Sequence, residues 1–359
     1  MRIAMVTTTP APGGVHRHIA DLGEALHGRG HAVTIIAPAG AAGLARHATT
    51  TGLGLRHSSN PATLPGFDVV HLHLADTYDR PAIGMMLGWR ATHPATLRVV
   101  TEHLPHTNAS DPRLDPGPRH VGAHAAKTWL KRTQLWSTDR TIAVSTNSAR
   151  FLSERYAVPS ARIAVVPNGI DPQPDGRSPD APRTGVLTIG TLARQKGHDV
   201  LIEAVARSTR SWQLTVVGDG AARERLEAQA DRTAPGRVRF LGRRDDVTEL
   251  MHSSAVFCLP SRWEAAPYVV LEAMRAGLPV VASAVDGVDE IVEPEHSGLL
   301  VAPDDPAGLA AALDRLDAHP EQAHRMGLSG RVRQRTRFTA HGMAESTEAV
   351  YRDALAARR

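Results

Sequence analysis

Short apolar runs alternate with longer amphipathic stretches along the whole chain. In the first half, apolar runs that are rich in β-branched residues occur at 2–8, 31–37, 68–74, 97–103, 140–145 and 162–168. The segments between them have the length and spacing of helices, and the first helix is expected from the pair Gly13-Gly14 to about His27. Strands that alternate with such helices predict a parallel sheet covered on both faces.

The same pattern restarts after a polar interruption. Residues 171–184, DPQPDGRSPDAPRT, are rich in proline and lack apolar periodicity, which predicts a linker. Further apolar runs predict a second parallel sheet, and they lie at 185–190, 212–218, 237–242, 255–260, 278–283 and 297–303. We therefore expect two doubly wound α/β domains, 1–170 and 185–338. For the last predicted helix, within 339–359, we consider that it packs back on the first domain.

The composition limits the classes of protein to which the chain could belong. The chain has 359 residues, 42% of them hydrophobic, and contains no apolar run long enough for a membrane span. The segment MRIAMVTTTP predicts a first strand rather than a signal peptide. The single cysteine, Cys258, excludes an intrachain disulfide and is expected to be a small buried side chain. These features favour a cytoplasmic location.

The charge of the chain argues against a nucleic-acid partner. The net charge is only +4, and most arginines are interleaved with acids rather than gathered on one face. The exceptions are GRVRQRTRF, residues 330–338, and RHVGAHAAKTWLKRTQLW, residues 119–136, of which the part HAAKTWLKRTQLW, 124–136, is basic and aromatic. This stretch could meet an anionic membrane. We favour the alternative, a helix that packs its aromatic side chains inward.

Two cations stand in a loop of the second domain. In TIGTLARQKGHDVLIEAV, a predicted strand ends at Gly190 and a helix begins near Gly197, with Arg194 and Lys196 between them. A helix N-terminus favours an anion, an arginine can bind phosphate bidentately, and a lysine adds a point charge. The context therefore favours a diphosphate site over two solvated surface cations.

Two glycine-containing dipeptides follow predicted strands of the first domain. Gly13-Gly14 comes after the first strand and could let the backbone approach a ligand, although a mere turn would look the same. Asn168-Gly169, in VPNGID, predicts a turn with positive φ.

Histidines and acids end two other strands of that domain. His71, His73 and Asp76 belong to one strand and its carboxyl end, and Glu102 and His103 to the other. No helical His-x-x-x-His pair with a glutamate and no Asp-x-Asp pair occurs, so we expect no protein-bound metal. At least one of His71 and His73 is expected to be structural.

Two glutamates stand in an otherwise apolar stretch, PSRWEAAPYVVLEAM. Pro267 suits the first turn of a helix that ends at Gly277, so Glu264 lies before the helix and Glu272 within it. Both could face the carboxyl end of the sheet. The residues leave three interpretations open: an acid/base pair, hydrogen-bond acceptors for sugar hydroxyls, or a helix cap with a paired acid.

Together these segments resemble the retaining glycosyltransferases of group 1, or family 4, which share the GT-B fold of two Rossmann-like domains facing a central cleft. The resemblance covers nearly the whole chain. It is carried by GGVHRHIADLGEALHGRGHAVTI, TIAVSTNSARFLSERYAVPSARIAVVPNGID, GTLARQKGHDVLIEA, VVGDGAARERLE, FLGRRDDV and PSRWEAAPYVVLEAMRAGLPVVASAVDGVDEIV.

The resemblance implies a nucleotide-sugar donor held mainly by the second domain. Glu272 would bind the ribose hydroxyls, and Glu264 would contact the donor sugar with help from backbone N–H groups of the following loop. Arg194 and Lys196, next to Gly190, would hold the diphosphate. Beside the base would lie Gly242 and Arg243.

The resemblance also implies contacts from the first domain. Gly13 and Gly14 would abut the phosphates or the acceptor, and His103 would approach the reacting carbon of the sugar. His103, Arg194, Lys196 and Glu264 are thus the expected catalytic group. Candidate acceptor contacts are His16, Asp76 and Glu102.

One loop departs from the family pattern. The glycine and aromatic residue that usually follow the first glutamate are replaced by Ala265 and Ala266, followed by Pro267 and Tyr268. This loop shapes the pocket for the donor sugar, so the identity of the sugar stays open.

The expected function is metal-independent, retaining transfer of a hexose or N-acetylhexosamine from a nucleotide sugar, with UDP as the expected nucleotide. The acceptor is expected to be a hydroxyl of a small molecule such as a natural product or aminocyclitol. No other cofactor is expected, and neither glutamate is expected to act as a general acid. Alternatives are an epimerase or phosphorylase on the same fold, a glycolipid glycosyltransferase at a membrane surface, or a non-enzymatic role there.

Overall fold

The computed structural model describes residues 1–10, 13–57, 66–74, 80–104, 121–172 and 183–358. Asp76 and most of the predicted linker lie outside the described residues. The strands are β1 Arg2–Thr7, β2 Ala32–Ala37, β3 Gly54–His57, β4 Val69–Leu74, β5 Leu97–Glu102, β6 Arg140–Ala143, β7 Ile163–Val165, β8 Val186–Ile189, β9 Leu214–Val217, β10 Val238–Gly242, β11 Val256–Leu259, β12 Val280–Ser283 and β13 Gly298–Val301.

The helices fill the intervals between the strands. They are α1 Gly14–Gly28, α2 Ala42–Thr51, α3 Arg80–Thr92, α4 Val121–Ser137, α5 Thr146–Tyr156, α6 His198–Arg207, α7 Arg223–Thr233, α8 Val247–Ser253, α9 Tyr268–Arg275, α10 Val288–Ile291, α11 Pro306–Ala318, α12 Pro320–Arg337 and α13 Ala340–Ala356.

The chain forms two compact α/β units with entirely parallel sheets. The first unit comprises Met1–Asp171 and Phe338–Arg359, and the second Pro172–Arg337. The strand orders are β3-β2-β1-β4-β5-β6-β7 and β10-β9-β8-β11-β12-β13. All twelve predicted strands are present, whereas β3 was not predicted because GLRH at the sheet edge is short and mostly polar. The predicted fold class is confirmed.

Each sheet has one point where the strand order reverses. In the first sheet it lies between β1 and β4, and in the second between β8 and β11. The loops that leave the carboxyl ends of such a strand pair run to opposite faces of the sheet and open a crevice, where ligands of doubly wound sheets bind.

Side chains of β1 show why the first sheet is covered on both faces. Successive residues of a strand point to opposite faces, so Ile3 and Met5 pack with α1 and α13 while Ala4 and Val6 pack with α3 and α5. The four residues are fully buried. A strand buried on both faces reads as a continuous apolar run, which is the pattern seen in the sequence.

The last helix, α13, belongs to the first unit, where it packs against α1. The Thr339 side chain caps it by accepting a hydrogen bond from Gly342 N at 3.0 Å. A Cβ atom at Gly169 would lie 2.1 Å from Thr339 O, so Gly169 is needed for this close approach. The predicted positive φ at Asn168-Gly169 was wrong, because neither residue has one.

The second unit has its own buried core around β8, β9 and β11. Cys258 is fully buried there as predicted, and burial raises the pKa of its thiol. Among the described helices of the whole chain, none has the length and apolar character needed to cross a membrane.

Candidate active site

The crevice of the second sheet is built by the segments that leave β8 and β11. After β8, residues Arg194–Lys196 form a single 3-10 turn that ends at Gly197. Gly197 has φ +63°, and a Cβ atom there would lie 1.9 Å from Pro260 O. A glycine is required at this position because it permits both the left-handed backbone and the close approach. The turn therefore packs directly on the chain that leaves β11.

This packing joins two residues that the sequence predicted separately. Lys196 Nζ lies 2.6 Å from Glu264 Oε1, and Ser261 Oγ donates a second hydrogen bond to the same oxygen at 2.7 Å. The side chains of Lys196 and Glu264 are 22% and 6% exposed. The stem of Lys196 lies over Gly190, where a Cβ atom would be 3.4 Å from Lys196 Cγ.

Arg262 locks the two segments together. Its guanidinium binds both carboxylate oxygens of Asp199 at 2.9 Å, Asp304 Oδ1 at 2.6 Å and Arg194 O at 2.7 Å. Its backbone N–H donates to Gln195 O at 2.7 Å. Burial alone would raise the pKa of Asp199, but the hydrogen bonds and charge of Arg262 outweigh burial and lower it. Sequence reasoning missed Arg262, although a charged residue in an apolar stretch was a usable signal.

Arg194 differs from Lys196 in its surroundings. Its side chain is exposed and makes no hydrogen bond or ion pair with the part of the chain that the structure describes.

His198, the first residue of α6, is buried behind the turn. Burial, reinforced by the nearby charge of Lys196, lowers the pKa of His198 to about 4, so its imidazole is neutral at pH 7. The positive charge of this turn therefore comes from Arg194 and Lys196 and not from His198.

The loop of Ala265 and Ala266 is fixed from behind by a glycine. Gly287 has φ +77°, and a Cβ atom there would lie 1.5 Å from Ala265 O. Ala265 is buried and Ala266 is partly exposed. Pro267 stands directly before α9, so the prediction that it starts the helix is confirmed, and Gly277 with φ +68° follows its end.

Four other predicted donor residues flank this crevice. Tyr268 opens α9 as a buried residue, and Glu272 lies half-buried one turn further along the same helix. Gly242 ends β10, where its carbonyl accepts a hydrogen bond from Gly218 N at 2.8 Å. Arg243 follows as an exposed residue. These residues all follow or border the carboxyl edge of the second sheet.

In the first unit, the start of α1 borders an open pocket. The helix begins at Gly14, and a Cβ atom at Gly13 would meet no atom within 4 Å. His16 is buried, with Nε2 2.9 Å from Thr9 O. The pocket has a volume of about 420 Å³ and is lined by Gly13, His16, Arg17, Asp21, Leu44 and His47. The pocket therefore leaves space beside Gly13, where a ligand is predicted to approach the backbone.

Three histidines gather at the carboxyl edge of the first sheet. The ring centroids of His18 lie 5.1 Å from His73 and 4.5 Å from His103. Asn168 Oδ1 lies 2.9 Å from His18 Nδ1 and orients that ring. Burial lowers the pKa of His18 to about 4 and holds those of His73 and His103 well below 6.5. All three rings are therefore neutral near pH 7.

Neutral imidazoles are metal ligands, so this cluster bears on the expectation of no metal. One ligand atom from each of His18, His73 and His103 lies within 4.8 Å of the others. His73 Nδ1 and His103 Nε2 are 3.4 Å apart. This grouping could not be predicted from the sequence, because the three histidines are far apart along the chain. The absence of a bound metal remains a prediction.

His71 is structural, as expected for at least one of the pair His71 and His73. Its two ring nitrogens lie 2.6 Å from Tyr351 of α13 and 2.6 Å from Thr101 of β5. All three side chains are fully buried. His71 thus ties α13 to the sheet.

Glu102 is the last residue of β5 and is buried in the first unit. Its carboxylate forms an ion pair with Lys131 of α4, which also donates to Gln134 Oε1 at 3.1 Å. All three side chains are buried. This pairing favours a structural role for Glu102 over the predicted acceptor contact, because a buried carboxylate that loses its partner is costly.

The aromatic residues of α4 do not pack inward as we had favoured. Trp129 and Trp136 are 65% and 62% exposed, whereas Leu135 between them is fully buried. The interpretation was wrong because the residues that do point inward, Lys131, Gln134 and Leu135, already fill the space beneath the helix.

Solved structures of the same architecture are glycosyltransferases. The chain superimposes on Anabaena HepE in complex with UDP with a TM-score of 0.81 and 18% identity, over 98% of this chain and 100% of that one. Sucrose-phosphate synthase from Thermosynechococcus elongatus gives a TM-score of 0.76 and 23% identity, over 99% and 100% of the two chains. The fold is therefore that of a GT-B glycosyltransferase.

Sequence comparison identifies the family. Residues 183–319 match the model for glycosyl transferases group 1, and residues 12–174 match that for glycosyltransferase family 4. Glycogen synthase of Mycobacterium tuberculosis is 30% identical over 100% of this chain and 95% of its own. Phosphatidyl-myo-inositol mannosyltransferase of Mycolicibacterium smegmatis is 30% identical over 87% and 84%. The chain belongs to the group 1, family 4 glycosyltransferases and is an enzyme of that class.

Proposed function

We propose that the protein is a retaining, metal-independent glycosyltransferase. It transfers a hexose or N-acetylhexosamine from a UDP-sugar to a hydroxyl group of a small acceptor molecule. The observation that carries the proposal is the contact between Lys196 and Glu264 at the strand-order reversal of the second sheet. A cation for phosphate and an acceptor for sugar hydroxyls meet there, as a nucleotide sugar requires.

The leaving diphosphate needs positive charge that is already in place. Arg194 is exposed and Lys196 partly exposed at the same turn, and α6 begins directly after it. Preorganised cations and helix N–H groups stabilise charge that develops on a leaving group. We propose that Lys196 moves from Glu264 to the diphosphate, which frees Glu264 Oε1 to accept a hydrogen bond from the donor sugar.

The nucleoside would be held further along the same edge. Glu272 accepts hydrogen bonds from the ribose hydroxyls, and Gly242 and Arg243 border the base. Support for UDP comes from structures of HepE in complex with UDP-glucose and with UDP and glucose, which share this fold. His103, neutral at pH 7, would approach the reacting carbon, where a neutral imidazole does not repel an oxocarbenium-like centre.

A second candidate places the acceptor at a membrane surface. The exposed Trp129 and Trp136 favour it, and related mannosyltransferases are named for the lipid phosphatidyl-myo-inositol. In that case the acceptor is a glycolipid rather than a free small molecule.

Turnover with a panel of nucleotide sugars tests the proposal. The enzyme is incubated with UDP-glucose, UDP-N-acetylglucosamine, GDP-mannose and ADP-glucose, with and without EDTA and candidate acceptors. We expect UDP release that survives EDTA and a product whose anomeric coupling in NMR matches the donor. An inverted product or loss of activity with EDTA would contradict the proposed mechanism. Formation of an epimer, or dependence on inorganic phosphate, would contradict transfer.

A further inference from the structure

The outer face of α4 carries two tryptophans that differ from the others in the chain. Trp129 and Trp136 are 65% and 62% exposed, while Trp89, Trp212 and Trp263 are buried. A tryptophan exposes a large apolar ring at a cost unless another surface covers it. The two exposed rings therefore mark a contact surface.

Both rings lie on the same side of the helix. They are seven residues apart, which is two turns of an α-helix. Arg132 is exposed between them, and its Nη2 donates to Arg155 O of α5 at 3.3 Å. We call Trp129, Arg132 and Trp136 the outer α4 face. It is apolar at both ends and cationic in the middle.

The surrounding segment is strongly basic. Acidic residues in 121–162 are confined to Asp139 and Glu154, whereas the basic residues are Lys127, Lys131, Arg132, Arg140, Arg150, Arg155 and Arg162. Lys131 is buried and paired with Glu102, so it adds no charge to the surface, and the six other basic residues still outnumber the two acidic ones. Asp139 is already engaged by Arg98 and Arg358. Positive charge is therefore localised on this side of the first unit.

A further group of arginines lies at the end of α4 next to Trp136. Arg162 donates hydrogen bonds to the carbonyls of Leu135 and Thr138. Burial lowers the pKa of Arg162, the charge of Asp139 opposes this shift, and the charges of Arg140 and Arg90 add to it. Arg140 and Arg162 are both partly exposed and continue the basic surface beyond the outer α4 face.

We propose that the outer α4 face docks on an anionic lipid bilayer. Tryptophan rings sit at the headgroup level of membranes, and each basic residue near an anionic surface adds to the attraction. An uncharged protein partner would not need the arginines. The proposal concerns binding and stands independently of the transfer reaction.

Cosedimentation with vesicles tests it. The full chain is mixed with vesicles of phosphatidylcholine alone or of phosphatidylcholine with phosphatidylglycerol. The W129S/W136S double variant is compared with an L328S/V332S control, which removes two exposed apolar residues of α12 that are 47% and 62% exposed. Thermal unfolding of both variants verifies that they are folded, as expected for exposed positions.

We expect binding to the anionic vesicles that falls by at least about tenfold in the tryptophan variant and is unchanged in the control. R132Q should weaken binding about fivefold, the equivalent of one basic residue near the surface. Equal binding by wild type and the tryptophan variant, or no binding to anionic vesicles, would overturn the proposal. So would a wild-type dimer in sedimentation velocity that the tryptophan substitutions dissociate, because the face would then be covered by a second copy.

Discussion

Lys196 Nζ lies 2.6 Å from Glu264 Oε1, although the two residues are separated by 68 positions in the chain. Both come from loops at the strand-order reversal of the second sheet, and both were predicted to touch the donor. The ammonium and the carboxylate neutralise each other. The proposed donor site therefore requires that phosphate replace the carboxylate at the ammonium and that a sugar hydroxyl replace the ammonium at the carboxylate.

The ion pair predicts a characteristic pattern of stabilities. K196M should lower the free energy of unfolding by about 2 kcal/mol, because it leaves the buried Glu264 carboxylate with one neutral donor, Ser261. K196M/E264Q should recover most of that loss, because no uncompensated charge remains. Denaturant unfolding measures both, with the exposed R194M expected within about 0.5 kcal/mol of wild type. A double variant no more stable than K196M would show that the pair is not coupled.

Gly287 should be essential for the loop that follows Glu264. G287A would place a Cβ atom 1.5 Å from Ala265 O, so the loop must shift and donor affinity should fall by at least about tenfold. Gly236 provides the matched control, since it also has a positive φ but has no atom within 4 Å of a Cβ. G236A should cost only about 1 kcal/mol of stability and leave donor binding unchanged. Equal donor affinities in the two variants would refute this role of Gly287.

Arg262 should be irreplaceable by lysine. R262K keeps the charge but loses the paired contacts to Asp199 and the bonds to Asp304 and Arg194 O, because an ammonium cannot make this planar set. We expect a loss of about 2 kcal/mol in stability and weaker nucleotide binding, since the turn of Arg194 and Lys196 loosens. R325K on α12 is the control, because Arg325 forms only an exposed ion pair at 3.7 Å. Wild-type nucleotide affinity in R262K would argue against the positioning role.

The histidine cluster predicts acid sensitivity. The pKa of His18 is about 4 in the folded protein and near 6.5 when unfolded, so the unfolded state binds more protons between these values. The contribution of the neutral His18 ring to the free energy of unfolding is fully present above pH 6.5. It is lost as the pH falls toward 4, by about 1.4 kcal/mol per pH unit for each such imidazole. H18Q should flatten this slope in denaturant unfolding, whereas H319Q at an exposed position should not. An unchanged slope in H18Q would contradict the assignment.

The fold was largely predictable because its strands are buried on both faces. Runs such as VVHLHL in β4 are continuous, and continuous runs separated by amphipathic segments indicate a doubly wound sheet. β3 escaped prediction because an edge strand has little burial and so little pattern. The orientation of α4 also escaped, because Trp129 and Trp136 look like core residues until the burial of Lys131 with Glu102 is known.

The candidate site was predictable in its parts and not in its contacts. Loop cations at a helix start and glutamates in an apolar stretch were visible in the sequence. The pairing of Lys196 with Glu264 depends on Gly197 packing against Pro260 O, which is a tertiary relationship. The role of Arg262 and the grouping of His18 with His103 depend on tertiary packing in the same way.

Calorimetric titration with UDP decides whether Lys196 and Glu264 form the donor site. Wild type should bind UDP, and K196M/E264Q, which we expect to be folded, should bind it at least about tenfold more weakly because the ammonium that holds the diphosphate is gone. A titration with UDP-sugar should separate the roles of the two residues, because E264Q alone should weaken the binding of UDP-sugar more than the binding of UDP. Equal UDP affinity in wild type and the double variant would contradict the account.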